Sequence, residues 1–415
     1  MINSQTLPLP KPLTSMQKTA RNIAFTCLNR LQHGSLTVIE SFDSQVSEGA
    51  MNYFGSHVDE RNKAVIEVKH PAFYARLLKG GSIAAGEAYM DGWWESPDLT
   101  TLMKLMAMNL STLDEIEKKS SLLSTIMYQL GHWLNRNTMS NSAKNIQAHY
   151  DLSNDLYQTF LDREMLYSSG VYNKNSDTLE QAQINKMERL CQQLNLSEND
   201  SVIEIGTGWG AMAIYMAERY GCHVTTTTIS SQQYQYAKEQ IESRGLDGKI
   251  TLLKKDYRLL EGKYDKLVSI EMIEAVGKQF LNSYVEKCQS LLKSGGLMAI
   301  QAITIADQRY ADYSSGVDFI QKYIFPGGFL PSITAITFAT TKHTDLVLRD
   351  LFDIGQDYAR TLKDWYIRFN QAEKQVLTLG FDDRFIRMWN YYFCYCEGGF
   401  QARSISTVHM TFQRP

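Results

Sequence analysis

The chain is sparing in the residues that mark several specialised classes of protein. Proline occurs only 8 times and cysteine 6 times in 415 residues. The cysteines, Cys27, Cys191, Cys222, Cys288, Cys394 and Cys396, are scattered through a long chain without a secretory signal pattern. That distribution speaks against a disulfide framework and for a reducing, cytoplasmic setting. Charge of one sign is also lacking, because 42 basic residues face 45 acidic ones. No basic surplus is left for a nucleic-acid partner. No apolar run reaches the roughly 18 residues of a membrane-spanning helix, and polar residues and prolines occupy the amino terminus where a signal core would lie. The expectation is a protein that is soluble, or lies on a membrane without crossing it. Aromatic residues, by contrast, are plentiful, with 23 Tyr, 17 Phe and 6 Trp, and most of them fall in the second half.

Two regions differ in pattern. From Met16 to Leu31 apolar residues recur at helical spacing, with Lys18, Arg21 and Arg30 elsewhere around the helix. Such a helix either packs into a core or lies on an anionic lipid surface, where apolar burial and phosphate attraction act together. Ala64 to Lys69 alternates like a strand, Gly80 to Gly86 reads as a loop opening a helix, and Leu99 to Met108 is a helical run that follows Asp91-Gly92-Trp93-Trp94. Met103, Met106 and Met108 read as core. After an apolar stretch over 127–134, the polar stretch 135–145 marks a domain boundary, dividing the chain into residues 1–140, smaller and mainly helical, and 141–415.

Beyond it strands and helices alternate. Strands are expected at Ser201–Ile205, His223–Ile229, Ile250–Lys254, Lys266–Ile270 and Leu297–Ile303, with helices at 211–219, 231–244 and 278–292. The last helix is expected to stop at a left-handed cap at Gly295-Gly296. This is a doubly wound α/β sheet, whose ligand crevice lies at the carboxyl ends of the strands. The first strand turns there through Glu204-Ile205-Gly206-Thr207-Gly208-Trp209-Gly210, where glycine permits close backbone approach and positive φ. The G-x-G-x-G spacing departs from the dinucleotide G-x-G-x-x-G, and Asp256-Tyr257 ends the third strand with an acceptor and a ring suited to adenine. Both features favour S-adenosylmethionine. The second strand ends without the acid that many methyltransferases use on ribose, leaving Thr228, Ile229, Ser230 and Gln233 for that task.

Several runs then carry a resemblance: 149–155 (HYDLSND), 160–162, 165–169 (MLYSS), the loop 204–210, 256–258, 269–277 (SIEMIEAVG), 321–332 (QKYIFPGGFLPS) and 391–403 (YYFCYCEGGFQAR). Together they are similar to cyclopropane fatty acid synthases over nearly the whole chain from residue 145, with weaker similarity at 87–102. The resemblance implies a class I methyltransferase, Rossmann-like sheet and a methyl transfer from S-adenosylmethionine to the cis double bond of a membrane phospholipid's acyl chain, followed by proton loss and ring closure. It also implies a homodimer, peripheral association with the inner face of the membrane, and a bound bicarbonate as base. Tyr167, Ser168, Gly206, Gly208, Gly210, Thr228, Ile229, Gln233, Asp256 and Tyr257 become the expected cofactor contacts.

Carried over by position, Glu274 orients the bicarbonate, with Tyr358, Gln301, Ser169 and a backbone group of Ile303 around it. Ser169 and Gln301 stand where the best-known bacterial pattern has cysteine and histidine, and they look like the plant-type synthases. Both still offer hydrogen-bond donors. Glu274 in a dry pocket is the rival base. Cys396 matches a cysteine proposed as catalytic, or it is a buried structural thiol. Cys394 and Cys396 lack the partners of a zinc set. His149 and Tyr157 either cap the acyl or cofactor pocket or are ordinary buried side chains. Proton loss from a neighbouring carbon would give a methyl-branched unsaturated chain instead of a ring, and a soluble methyl acceptor or a non-catalytic binding protein are the remaining alternatives.

Overall fold

The computed structural model describes residues 13–42, 50–55, 62–110, 152–314 and 316–415. His149 and the stretches 127–134 and 135–145 lie outside the described residues. The chain forms two compact units, Met1–Met127 with Asp382–Ala402, and Tyr128–Phe381 with Arg403–Pro415. The segment expected as one continuous catalytic domain is therefore interrupted by the helix Asp383–Gln401, which packs with the helices Phe73–Met90 and Leu99–Met108 of the first unit. Left-handed residues flank the excursion, Gly380 at φ 94° and Arg403 at φ 55°. The second ends the helix in the manner of a C-terminal cap.

In the first unit the helix Ser15–Leu28 starts at Thr14, whose hydroxyl accepts from Gln17 N while the Gln17 side chain accepts from Thr14 N. Ala20 and Ala24 are buried, whereas Met16 and Ile23 are exposed. Arg21, off the apolar stripe of this helix, is committed to buried Glu40 through two hydrogen bonds of 2.7 and 2.6 Å. A four-stranded sheet accompanies the helices in the order β2-β1-β3-β4: β1 (Ser35–Glu40), β2 (Ala50–Gly55), β3 (Lys63–Val68) and β4 (Trp94–Glu95). Only β3 was expected. The glycines at 80–86 do not form a loop; they lie within the helix Phe73–Met90, which breaks stride at Gly81 (φ 57°, ψ −145°), a conformation open to glycine.

The second unit is built on a seven-stranded sheet, β10-β11-β9-β8-β5-β6-β7. Its strands are β5 (Ser201–Ile205), β6 (His223–Thr228), β7 (Ile250–Lys254), β8 (Tyr264–Ile270), β9 (Leu292–Ile305), β10 (Val347–Asp353) and β11 (Ile405–Gln413). The five expected strands are parallel neighbours, and β11 joins antiparallel to both β9 and β10. Gly295 does take a left-handed φ of 78°, but it lies in an irregularity at the start of β9 rather than capping a helix, since the helix Leu281–Leu291 has already ended.

Alternating side chains build a core on each face of this sheet. Ile203, Ile205, Leu267, Met298 and Ile300 pack with the helices Leu281–Leu291 and Ile333–His343 on one face. Val202, Val224, Val268 and Ala299 pack with Leu179–Gln193 and Ala211–Tyr220 on the other. The threonine-rich β6 survives burial because its hydroxyls find acceptors: Thr226 on Glu204 at 2.6 Å, Thr227 on the Lys255 carbonyl, and Thr228 on Gln233 at 2.9 Å. Buried polar groups so paired escape the desolvation penalty.

Close helix packing in the first unit gives a direct test. A Cβ on Gly398 would lie 2.6 Å from Lys104 N and 2.7 Å from Met103 Cβ. Gly398→Ala gains about 1 kcal/mol of helix propensity, but the overlap with backbone forces the helices apart. Thermal unfolding should show a net loss of about 1–3 kcal/mol, and an unchanged or raised midpoint would refute the packing.

Candidate active site

The carboxyl ends of β5, β6, β7 and β8 enclose a cleft lined by Tyr167, Ser168, Gly206, Gly208, Thr228, Ile229, Gln233, Asp256 and Tyr257. Nine of the ten expected cofactor contacts thus meet in one place. The tenth, Gly210, does a different job. It precedes the helix Ala211–Tyr220 at φ 100°, and a Cβ there would come within 3.2 Å of the Ala237 Cβ, so it lets two helices approach. Gly208 (φ 54°) has nothing within 4 Å of a notional Cβ and opens the backbone onto the cleft. The loop is anchored by Gly206 N and Thr207 N, which both donate to the Thr227 carbonyl.

At the end of β6, Ser230 caps the following helix through Gln233 N, and Gln233 Oε1 accepts from Thr228. That bond directs the amide carbonyl inward along the strand end and leaves hydroxyl and amide chemistry where an acid was missed. Asp256 is held by Arg258, whose Nε and guanidinium Nη2 donate at 2.9 and 2.6 Å, which keeps its carboxyl below the usual range despite burial. Glu204, fully buried beside the loop, is pushed up to about 8 by desolvation, against one hydrogen bond from Thr226. Glycine backbone, hydroxyls, an amide, carboxylates and the Tyr257 ring form a donor and acceptor set that fits an adenosyl amino acid.

Next to this cleft lies a cluster whose centre was not anticipated. Glu271 is the first residue beyond β8, lines the cleft and holds a left-handed φ of 46°. Its carboxylate accepts from Ser169 N at 2.9 Å, Gln301 Nε2 at 2.7 Å and the Tyr358 hydroxyl at 2.8 Å. These are the residues expected to surround a bicarbonate. The anion they hold is a side chain of the protein. Two expectations change with it. Ser169 contributes its backbone N–H, because its hydroxyl donates to the Gly170 carbonyl. Ile303 N donates to Glu274 Oε1 rather than to a bound ion.

Glu274 is half-buried, but its Oε2 is shut away from solvent and among the described residues has no hydrogen-bond partner. Desolvation, then the neighbouring charge of Glu271, pushes its carboxyl up to about 8. Glu271 is also raised by desolvation, but the Ser169, Gln301 and Tyr358 donors and the Lys186 charge pull it back toward the ionised form. The two acids are therefore unequal in their surroundings: three donors hold the Glu271 carboxylate, while Glu274 has the Ile303 N–H on one oxygen and its raised carboxyl favours the protonated form.

Three supporting residues escaped sequence reasoning. Lys186, fully buried and lowered to about 8 by desolvation, donates to Ser168 Oγ at 2.6 Å. A lysine on the apolar face Leu179, Ala182, Met187, Leu190 was the available signal. Gln183 donates to the Ser168 carbonyl at 2.9 Å. His409, held neutral by burial, meets Gln301 Oε1 at 2.8 Å. With its oxygen so occupied, the Gln301 amide nitrogen must face Glu271. His409 lies on β11, which was not recognised as a strand.

Tyr157 is fully buried in an aromatic wall rather than at an anion, with ring centroids 5.3 Å from Tyr167 and 5.0 Å from Trp209. Phe160, Phe369 and Trp365 continue that wall, and Trp365 stands 6.1 Å from Tyr358. Ring faces of this kind stabilise a nearby cation. Cys396 lies on the helix Asp383–Gln401 of the first unit.

The family model described as mycolic acid cyclopropane synthetase matches residues 137–410. The cyclopropane-fatty-acyl-phospholipid synthase of Escherichia coli K12 is 35% identical over 372 residues, covering 89% of this chain and 93% of that protein. A protein of Mycobacterium tuberculosis named tuberculostearic acid methyltransferase is 35% identical over 377 residues, covering 86% and 84%. The solved structure of a cyclopropane synthase from M. tuberculosis, MmaA2, superposes with a TM-score of 0.61 at 24% identity, over 65% of this chain and 98% of that one, which supports the fold.

Burial of Glu204 makes stability depend on pH. Its folded value of about 8 lies above the ordinary 4.5, so the folded state binds the extra proton, and stability is lost as pH rises from about 4.5 to about 8. Glu204→Gln should raise the unfolding midpoint relative to the parent at pH 8 and far less at pH 5. Equal effects at both pH values would rule out a buried, proton-holding Glu204.

Proposed function

The chain belongs to the mycolic acid cyclopropane synthetase family, and we propose that it converts cis double bonds of phospholipid acyl chains into cyclopropane rings, with S-adenosylmethionine as donor. The observation that carries this reading is the adjacency of two devices, the glycine-loop cleft and the half-buried, donor-held carboxylate of Glu271 that shares its wall. In that cleft Thr228 and Gln233 would hold the ribose hydroxyls, and Asp256 with Tyr257 would hold the adenine. S-adenosylmethionine supplies an electrophilic methyl on a positively charged sulfur. The carboxylate of Glu271 complements that charge, while the ring faces of Tyr157, Tyr167 and Trp365 suit the cation left on an alkylated alkene.

An acyl chain lies in a bilayer, so the protein must meet the membrane surface. Among the described residues no helix is long and apolar enough to cross a membrane, and peripheral contact with the inner face is the mode we propose. The first unit, with exposed Met16 and Ile23 on its leading helix, is the candidate for lipid association, and a homodimer would present two such surfaces. The ring is preferred over a methyl branch because the family description and the E. coli relative both carry cyclopropane in their names.

Purified protein, S-adenosylmethionine and vesicles of a monounsaturated anionic phospholipid should yield fatty acids one methylene heavier that survive mild hydrogenation. A heavier product that takes up hydrogen would mean branching methylation. No product on any phospholipid, with transfer to a small soluble acceptor, would refute the lipid assignment.

A further inference from the structure

We infer that the carboxylate of Glu271 is a built-in catalytic base, occupying the anion position formed by Ser169 N, Gln301 and Tyr358 and removing the proton that closes the ring. The inference rests on the lipid-modifying function proposed above and names the base for it.

Four observations converge on Glu271. Its two carboxylate oxygens take up all three donors, at 2.7–2.9 Å, so a dissolved bicarbonate would have to compete for hydrogen bonds already made and bring a further negative charge beside Glu271 and Glu274. Glu271 lines the cofactor cleft together with Ile270, Met272 and Ala275, which puts it against the space where a methyl donor would lie. Its backbone sits at φ 46°, a region that is costly for a residue with a side chain and persists only where surrounding contacts impose it. Those contacts are themselves supported, Gln301 by His409 and the Tyr167–Ser169 segment by Lys186 and Gln183.

The chemistry balances without another reagent. The alkene's electron pair forms the new bond to the methyl carbon, and the carbon–sulfur bond breaks with its pair remaining on sulfur. One proton of the transferred methyl passes to a Glu271 oxygen, and the electrons of that carbon–hydrogen bond close the third side of the ring. Glu271 then returns its proton to water when the products leave. Burial strengthens the carboxylate as a base by removing its hydration, while Glu274 beside it has the Ile303 N–H on one oxygen and a raised carboxyl that favours the protonated form. A pair of acids separated in this way by their surroundings is a recurrent arrangement for proton transfer.

Substitution at position 271 tests the assignment. Glu271→Gly relieves the left-handed backbone and empties the anion position, whereas Glu271→Gln fills it with a neutral amide. The wild type should keep its rate in buffer purged of carbon dioxide. Both variants should lose about 100-fold or more in kcat, with Glu271→Gly alone recovering when formate or bicarbonate is added. Calorimetry should show formate binding to Glu271→Gly and not to the wild type, a readout independent of turnover. A wild type that needs added bicarbonate, or a Glu271→Gly variant that keeps the wild-type rate in purged buffer, would overturn the base role alone. Equal formate binding by wild type and variant would overturn occupancy of the anion position. A wild type without any lipid product would overturn the lipid function and, with it, the base.

Discussion

A carboxylate buried in a protein interior is tolerated only where donors converge on it. Glu271 imposes that constraint here, because an unpaired charge in such a place costs several kcal/mol. The donors come from segments far apart in the chain: the turn before the helix Leu179–Gln193, the middle of β9 and the first turn of the helix Gly355–Gln371. Asp162 holds the first of these by accepting from Leu166 N at 2.8 Å, across the left-handed Met165. The antiparallel strand β11 brings His409 to Gln301. Much of the second unit's topology can thus be understood as the scaffold of one carboxyl group.

The same surroundings explain why this unit spends stability on its site. Glu204, Glu271 and Glu274 are each desolvated, and each is raised in consequence. A folded chain tolerates such groups only when a large apolar core offsets them. The two core layers on either face of the seven-stranded sheet supply it. Dryness serves the chemistry as well, since a carbocation next to water would be captured before a proton could leave. The aromatic wall from Tyr157 to Trp365 excludes water while presenting electron-rich faces.

Local patterns revealed the part of this architecture that depends on local physics. Glycine spacing at 206–210, the Asp256-Tyr257 strand end and the run of buried strands identified the cleft, because backbone clearance and strand burial are written in neighbouring residues. The strands β10 and β11 were not legible. On β10, Arg349, Asp350 and Asp353 interrupt the apolar residues and break the buried-strand signature, and β11 returns only after the chain has visited the first unit. The helix Asp383–Gln401 was expected with the residues after 141 and belongs to the first unit; an apolar helix face looks the same in sequence whichever partner it meets.

The candidate site divides along the same line. Gln301, Tyr358 and Ser169 could be named in advance as donors around an anion only through the family resemblance, whereas the glycine loop and the Asp256-Tyr257 strand end marked a nucleotide-sized pocket from residue type and order along the chain. Which anion they hold could not. Glu271 and Glu274 are two acids three positions apart at one strand end, and nothing local distinguishes them. The tertiary structure separates them by turning Glu271 through a left-handed backbone into three donors and leaving Glu274 with Ile303 N. Hydrogen bonding and desolvation act on atoms gathered from distant segments, so their balance exists only once the chain has folded.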